Sequence, residues 1–164
     1  MNYRKINLHD KGAIREVSYL ASHIVKEHYD PILGSVQNDY MIRKFQSVPA
    51  ITEQLEHGYQ YYLVENLEGQ QVGFLACYPR ESEWYLSKFY IEKGQRGKGI
   101  SKNMLQFVID QAKENGFSSI VLNVNKRNNA LHVYEKLGFQ RIREEKNDIG
   151  NGFYMDDYVY QYKI

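Results

Sequence analysis

One segment constrains this chain more than any other. Trp84-Tyr85-Leu86-Ser87-Lys88-Phe89-Tyr90-Ile91 runs into Gly94-Gln95-Arg96-Gly97-Lys98-Gly99, after which Ile100, Met104, Leu105, Val108, Ile109 and Ala112 recur at three- and four-residue intervals. The first part has the length and aromatic content of a strand, and the last has the period of an amphipathic helix. A strand feeding a helix through a glycine-rich turn sets a helix against a sheet. The turn also has a chemical character. Helix N-termini leave backbone N–H groups without partners and carry partial positive charge. Glycines at 97 and 99 let an anionic group approach the main chain, and Arg96, Lys98 and Lys102 add full charges. These are the parts of a site for a diphosphate.

The cations are gathered rather than spread. The whole chain has 21 basic and 20 acidic residues, a net charge of +1, yet Lys88, Lys93, Arg96, Lys98 and Lys102 are opposed locally only by Glu92. Near-neutrality argues against a generalised nucleic-acid surface. Apolar residues make up 43% and charged residues 25%, ordinary globular usage that argues against disorder. No apolar run approaches the roughly 18–20 residues needed to cross a bilayer, and Met1–Ile6 has no secretory apolar region. Cys77 is the single cysteine, and no Cys/His spacing suits zinc. The expectations are a cytoplasmic location, no metal and no membrane partner.

The rest of the chain alternates between the same two periods. Tyr3–Leu8 reads as a first strand and Asp10 as the cap of a helix from Ala13 to about His28, broken by Asp30-Pro31 and Gly34. A second helix from about Asn38 carries Met41, Ile42 and Phe45, and Pro49 opens a third that stops at Gly58. Tyr59–Val64 and Val72–Tyr78 are strands joined around Glu68-Gly69, the second ended by Pro79. Ser119–Val124 is a strand of the buried kind. Ala130, Leu131, Tyr134 and Leu137 define another helix, capped at Gly138. Phe139–Glu145 and Phe153–Tyr160 are final strands separated by the turn-forming Asn147–Gly152. With no repeat or linker, residues 1–164 are expected to form one mixed α+β domain.

Glycines in a turn do not by themselves identify a ligand. The segment lacks the Walker A spacing, and Asn103 occupies the place of the third glycine of a G-x-G-x-x-G. Arg96-Gly97-Lys98-Gly99-Ile100-Ser101, however, resembles the R/Q-x-x-G-x-G/A signature of the GNAT-type N-acetyltransferase superfamily, with Ser101 in place of the final Gly or Ala. Asn128-Asn129-Ala130-Leu131-His132-Val133-Tyr134-Glu135-Lys136-Leu137-Gly138-Phe139 is similar to that family's N-x-x-A-x-x-x-Y-x-x-x-G-F segment, one residue shorter in its asparagine region. The order of elements agrees as well, so the resemblance covers nearly the whole chain.

The resemblance implies a central, largely antiparallel, twisted sheet of about six or seven strands, flanked by helices, with a splayed central strand pair. It implies direct transfer of acetyl from acetyl-CoA to a primary amine in a ternary complex, the acceptor being a small-molecule or peptide amine. Main-chain groups of Phe89, Tyr90 and Ile91 would bind pantetheine, and those of Arg96, Gly97, Lys98, Gly99, Ile100 and Ser101 the diphosphate. Asn128 or Asn129, with Asn125 as a third candidate, would supply a cofactor-contacting amide. Tyr134 matches the family's tyrosine acid, the role the motif favours over the core tyrosine that its spacing with Ala130, Leu131 and Leu137 also suits. His28, Tyr29, Tyr40, Glu83 and Tyr158 are the candidates for the acceptor site, and no general base can be singled out from Glu83, Glu92 and the scattered histidines. Lys88 is expected to face solvent or to pair with an acid. The same fold without turnover, an acyl-CoA-sensing module, is the alternative, and an open edge at the last strand suggests a homodimer.

Overall fold

Thirteen elements follow one another in a computed structural model that describes all residues from 1 to 164. They are β1 (Asn2–Ile6), α1 (Lys11–Leu33), α2 (Ser35–Phe45), α3 (Val48–Glu56), β2 (Gln60–Glu65), β3 (Gln71–Arg80), β4 (Glu83–Ile91), a 3₁₀ turn (Lys93–Gln95), α4 (Ile100–Glu114), β5 (Ser119–Asn125), α5 (Ala130–Lys136), β6 (Gln140–Gly150) and β7 (Phe153–Lys163). The strands form one seven-stranded sheet in the order β1-β2-β3-β4-β5-β7-β6. Its β1–β2, β2–β3, β5–β7 and β6–β7 pairs are antiparallel, while β4 and β5 run parallel through Trp84↔Ile120 and Tyr85↔Val121. The mixed α+β architecture, with a mostly antiparallel sheet and flanking helices, is the one expected. No helix is long and apolar enough to cross a membrane.

Contacts divide the chain into two compact units, Met1–Tyr78 with Lys88–Asn103 and Pro79–Ser87 with Met104–Ile164. In the first, Asp10 caps α1 by accepting from the Ala13 N–H at 3.0 Å. Ala13, Ile14, Val17, Leu20, Ala21 and Ile24 then line one face of that helix and bury themselves against Ile6, Ile51, Tyr61, Leu63, Phe74 and Ala76. Each fully buried Val, Leu or Ile contributes about 1.5–3 kcal/mol. The helix does not break at Pro31 as expected but continues to Leu33. Proline removes one N–H close to the helix end, and the turn still closes, with Gly34 N–H on Asp30 O at 3.0 Å. The next helix starts at Ser35, and its buried Asn38 donates to Val25 O (3.1 Å) and Asp30 Oδ1 (2.8 Å), tying α2 to α1.

Two strand ends also differ from expectation. The strand β1 stops at Ile6, where a turn brings Asp10 N–H to Asn7 O. Pro79 lies within β3 at an exposed position near its end, where a missing donor is tolerated.

In the second unit, Trp84, Leu86, Val108, Ala112, Ile120, Leu122, Val159 and Tyr160 are among the buried residues, with the Trp84 and Phe117 rings 5.4 Å apart. The β6–β7 hairpin is longer than predicted. Asn147 and Asp148 keep pairing with Met155 and Tyr154, leaving Asn151-Gly152 as the turn. The last strand is not an edge: β7 lies between β5 and β6, and the edges are β1 and β6. Arg141, Arg143, Glu144 and Lys146, exposed along β6, guard that edge against pairing with another chain.

Candidate active site

The end of β4 is held by an unusually close main-chain approach. A Cβ at Gly73 would lie 2.3 Å from Tyr90 O and 3.3 Å from Ile91 Cα, so no other residue fits at that point of β3. Glu92 N–H donates to Val72 O at 2.8 Å, and the Tyr90 ring stacks on Phe74 with centroids 5.2 Å apart. Phe89, Tyr90 and Ile91 are thereby set as a half-buried strand end.

Beyond it the chain turns outward. Arg96 folds back, its Nε donating to Ile91 O at 3.2 Å, and Lys98 reaches Gln95 Oε1 at 3.3 Å. Gly97 and Gly99 both adopt φ +77, a left-handed conformation that strains any other residue, and a Cβ at either would meet no atom within 4 Å. The space above both glycines is open. Arg96, Gly97, Lys98 and Gly99 are exposed, Ile100 is buried, and Asn103 N–H closes on Gly99 O at the start of α4. The N–H groups of Ile100, Ser101 and Lys102, ahead of that bond, have no intrahelical acceptors. All the residues from 89 to 101 singled out by the sequence fall in the first compact unit.

Lys88, immediately before this segment, is not at the surface. It is 5% exposed, and its Nζ donates to Phe45 O (2.5 Å), Gln46 Oε1 (2.9 Å) and Gln54 Oε1 (3.1 Å), with the Tyr61 ring 5.1 Å away. These acceptors are uncharged, and burial pushes the ammonium pKa down to about 7. The period-two pattern carried this signal: Trp84, Leu86 and Lys88 share the buried face of β4.

The second motif lies in the other unit. Tyr134 is half-buried on a helix with no fully buried residue and meets Phe139 edge-to-face at 5.7 Å, so it does not sit deep in a core. Two of the three asparagines shape the loop before α5. Asn125 Oδ1 accepts from Arg127 N–H and buried Asn128 Oδ1 from Ala130 N–H, each at 2.9 Å. Asn129 stays exposed.

The acceptor candidates are divided. His28, Tyr29 and Tyr40 belong to the first unit, where His28 and Tyr29 meet edge-to-face at 4.8 Å and Lys44 lies over the Tyr40 ring. Glu83 and Tyr158 belong to the second. Glu83 accepts from Gln161 Nε2 at 3.2 Å, and Tyr158 carries the Arg141 guanidinium 3.6 Å from its ring centroid. One face of Tyr158 is thus taken by a cation of the protein itself.

That unit also holds a polar cluster that its sequence spacing does not announce. Tyr85 OH donates to Asn123 Oδ1 at 2.9 Å, and Asn123 Nδ2 faces Glu145 Oε2 at 3.1 Å and Asp157 Oδ2 at 3.4 Å. A polar residue at 123 in the otherwise apolar run Ile120–Val124 was the available clue.

Comparison with known proteins adds to this geometry. The family model described as "Acetyltransferase (GNAT) domain" matches residues 31–157. The chain is 36% identical over 89 residues to N-acetylaspartate synthetase of Danio rerio, covering 52% of this chain and 32% of that protein. It is 35% identical over 85 residues to [ribosomal protein bS18]-alanine N-acetyltransferase of Haemophilus influenzae, covering 52% of this chain and 57% of that one. The chain thus spans less than two thirds of the length of either relative. Among solved structures, PaiA N-acetyltransferase from Thermoplasma acidophilum, in complex with coenzyme A, superposes with a TM-score of 0.78 over 100% of both chains at 17% identity.

Proposed function

The chain belongs to the GNAT acetyltransferase family, and on that premise we propose that it transfers acetyl from acetyl-CoA to a primary amine by direct attack in a ternary complex. The observation that carries this reading is the pair Gly97 and Gly99, both left-handed and both beneath open space, at the mouth of α4. Main-chain amides from Gly97 to Ser101 would hold the diphosphate there, strengthened by the partial charge of the helix end, while the Arg96 N–H donates to Lys93 O at 3.3 Å and leaves that residue its side chain for the role. Backbone groups of Phe89, Tyr90 and Ile91, held in place by the approach at Gly73, would bind the pantetheine arm. The exposed amide of Asn129 is the asparagine best suited to a cofactor contact.

When bound, acetyl-CoA supplies an activated acyl group with a thiol as leaving group. Three demands then fall on the protein. An alkylamine with pKa ~10 arrives protonated, so a proton acceptor is required. Attack puts negative charge on the carbonyl oxygen, which one fixed N–H of the β4 end would stabilise by about 3 kcal/mol. The departing sulfur needs a proton, and Tyr134 is assigned as its donor, since a phenol retains its proton at neutral pH. The amine is a small molecule or the amino group of a peptide, the two classes represented by the similar N-acetylaspartate synthetase and ribosomal-protein alanine N-acetyltransferase.

The test is release of free thiol from acetyl-CoA with a panel of amines including spermidine, tyramine and an alanyl peptide, alongside titration with coenzyme A. Coenzyme A binding with amine-dependent thiol release supports the reading. Tight binding without release under every amine would instead make the chain an acyl-CoA-binding module.

A further inference from the structure

The cluster around Asn123 contains a carboxylate that the fold itself leaves unsatisfied. Strand register sets Asn125 opposite Asp157 and Asp157 opposite Glu145, while Asn123, two residues from Asn125, shares that face. Asp157 is 1% exposed, and its Oδ1 has no hydrogen-bond partner. A buried carboxylate oxygen in this state is costly and requires an explanation. It forms no ion pair with a lysine or arginine. Lys126, whose charge acts on it, is itself engaged by Asp156 at 3.1 Å and Glu144 at 3.5 Å. Tyr85, Asn123 and Glu145 around it are only half-buried, so the cluster borders solvent although Asp157 does not.

The two carboxylates differ in environment. Glu145 is held below the usual carboxylate range by its hydrogen bond from Asn123, with Arg143 (3.0 Å) and Asn147 adding to this. Asp157 is pushed up to about 6, chiefly by burial and also by the negative charges of Glu145 and Asp156, against the opposing pull of Asn123 and Lys126. Paired carboxyl groups driven apart in this way suit proton transfer near neutral pH.

Resting on the acetyl-transfer reading above, we propose that Asp157 takes the proton from the ammonium group of the acceptor, with Asn123 and Glu145 as its positioning residues. A primary alkylammonium is the ligand class that supplies both the missing charge and the missing donor. One of its protons passes to Asp157 Oδ1 across a water admitted at the half-buried side of the cluster, beside Asn123 and Glu145. The freed nitrogen pair forms the C–N bond to the thioester carbonyl carbon, and the C–S bond breaks with its electrons on sulfur. The second proton lost by nitrogen returns, through water, to the phenolate left when Tyr134 protonates the sulfur. The proton on Asp157 leaves to water before the next turnover, and the third stays on the amide.

The experiment measures thiol release against pH for the wild type, Asp157→Asn and Asn123→Asp, with spermidine, tyramine and an alanyl peptide as the amines. Wild type should lose activity below about pH 6. Asp157→Asn should lower kcat about 100-fold and abolish that acid limb, with coenzyme A affinity unchanged. Asn123→Asp sets a further carboxylate against Asp157 and should move the limb upward by about one pH unit, which keeps the proposal testable if Asp157→Asn does not fold. An active wild type whose limb survives in Asp157→Asn, or stays in place in Asn123→Asp, overturns this proposal alone. A wild type that binds coenzyme A but releases no thiol removes the acetyl-transfer reading, and this proposal with it.

Discussion

Replacing Lys88 with Met should change how stability responds to pH, in a direction set by the structure. The ammonium pKa falls from 10.5 to about 7 because the side chain is buried. Between those values the unfolded chain holds the Lys88 proton and the folded chain does not, so raising the pH favours the folded state. At about 1.4 kcal/mol per pH unit the full gain is at most about 5 kcal/mol, and from pH 7 to about 9.5 it is about 3 kcal/mol. The three oxygens of Phe45, Gln46 and Gln54 favour the charged form and work against part of this. Methionine keeps most of the volume and removes the titration, at the cost of leaving Phe45 O and Gln46 Oε1 without this donor; Gln54 Oε1 retains the Tyr61 hydroxyl. Urea denaturation of both proteins at about pH 7, 8 and 9.5 reads the difference. Other lysines and tyrosines titrate in both and cancel. The wild type should gain on the variant by about 2–3 kcal/mol across the series. Parallel stability curves would refute the reasoning, since they would mean that Lys88 keeps the same charge in the folded and unfolded chains throughout.

Two further substitutions probe the cofactor segment and the second motif. Gly73→Ala drives a methyl group into Tyr90 O and should cost about 1–3 kcal/mol in thermal or urea unfolding while weakening coenzyme A binding; unchanged affinity would separate the β4 end from the pantetheine site. Tyr134→Phe should lower kcat by about 100-fold with little change in acetyl-CoA affinity, as read by steady-state kinetics and equilibrium binding; an unchanged kcat would remove its acid role.

The asymmetry between the two compact units is informative about the chemistry. The cofactor role proposed for the glycine turn and its strand rests on backbone groups, so it would tolerate side-chain variation such as Ser101. The role proposed for the cluster at Asp157 rests on side chains, so it depends on the identities of Asn123, Glu145 and Asp157.

What the amino-acid sequence determined by itself is whatever depends on near neighbours along the chain. The β4–turn–α4 segment, the cap at Asp10, the helical faces and the left-handed glycines follow from local backbone preference and from side-chain spacing of two or 3.6 residues. The family signatures are legible for the same reason, since they are short and contiguous. Tertiary structure decided what depends on distant partners. Lys88 reads as a surface cation until Phe45, Gln46 and Gln54, more than thirty positions earlier, close over it. Asp157 reads as a charge on an alternating strand until β7 is inserted between β5 and β6, bringing it against Asn123 and Glu145. Burial and electrostatic environment are sums over neighbours in space, so no local pattern could announce either a lysine that gives up its proton near neutrality or a carboxylate whose pKa is pushed up to about 6.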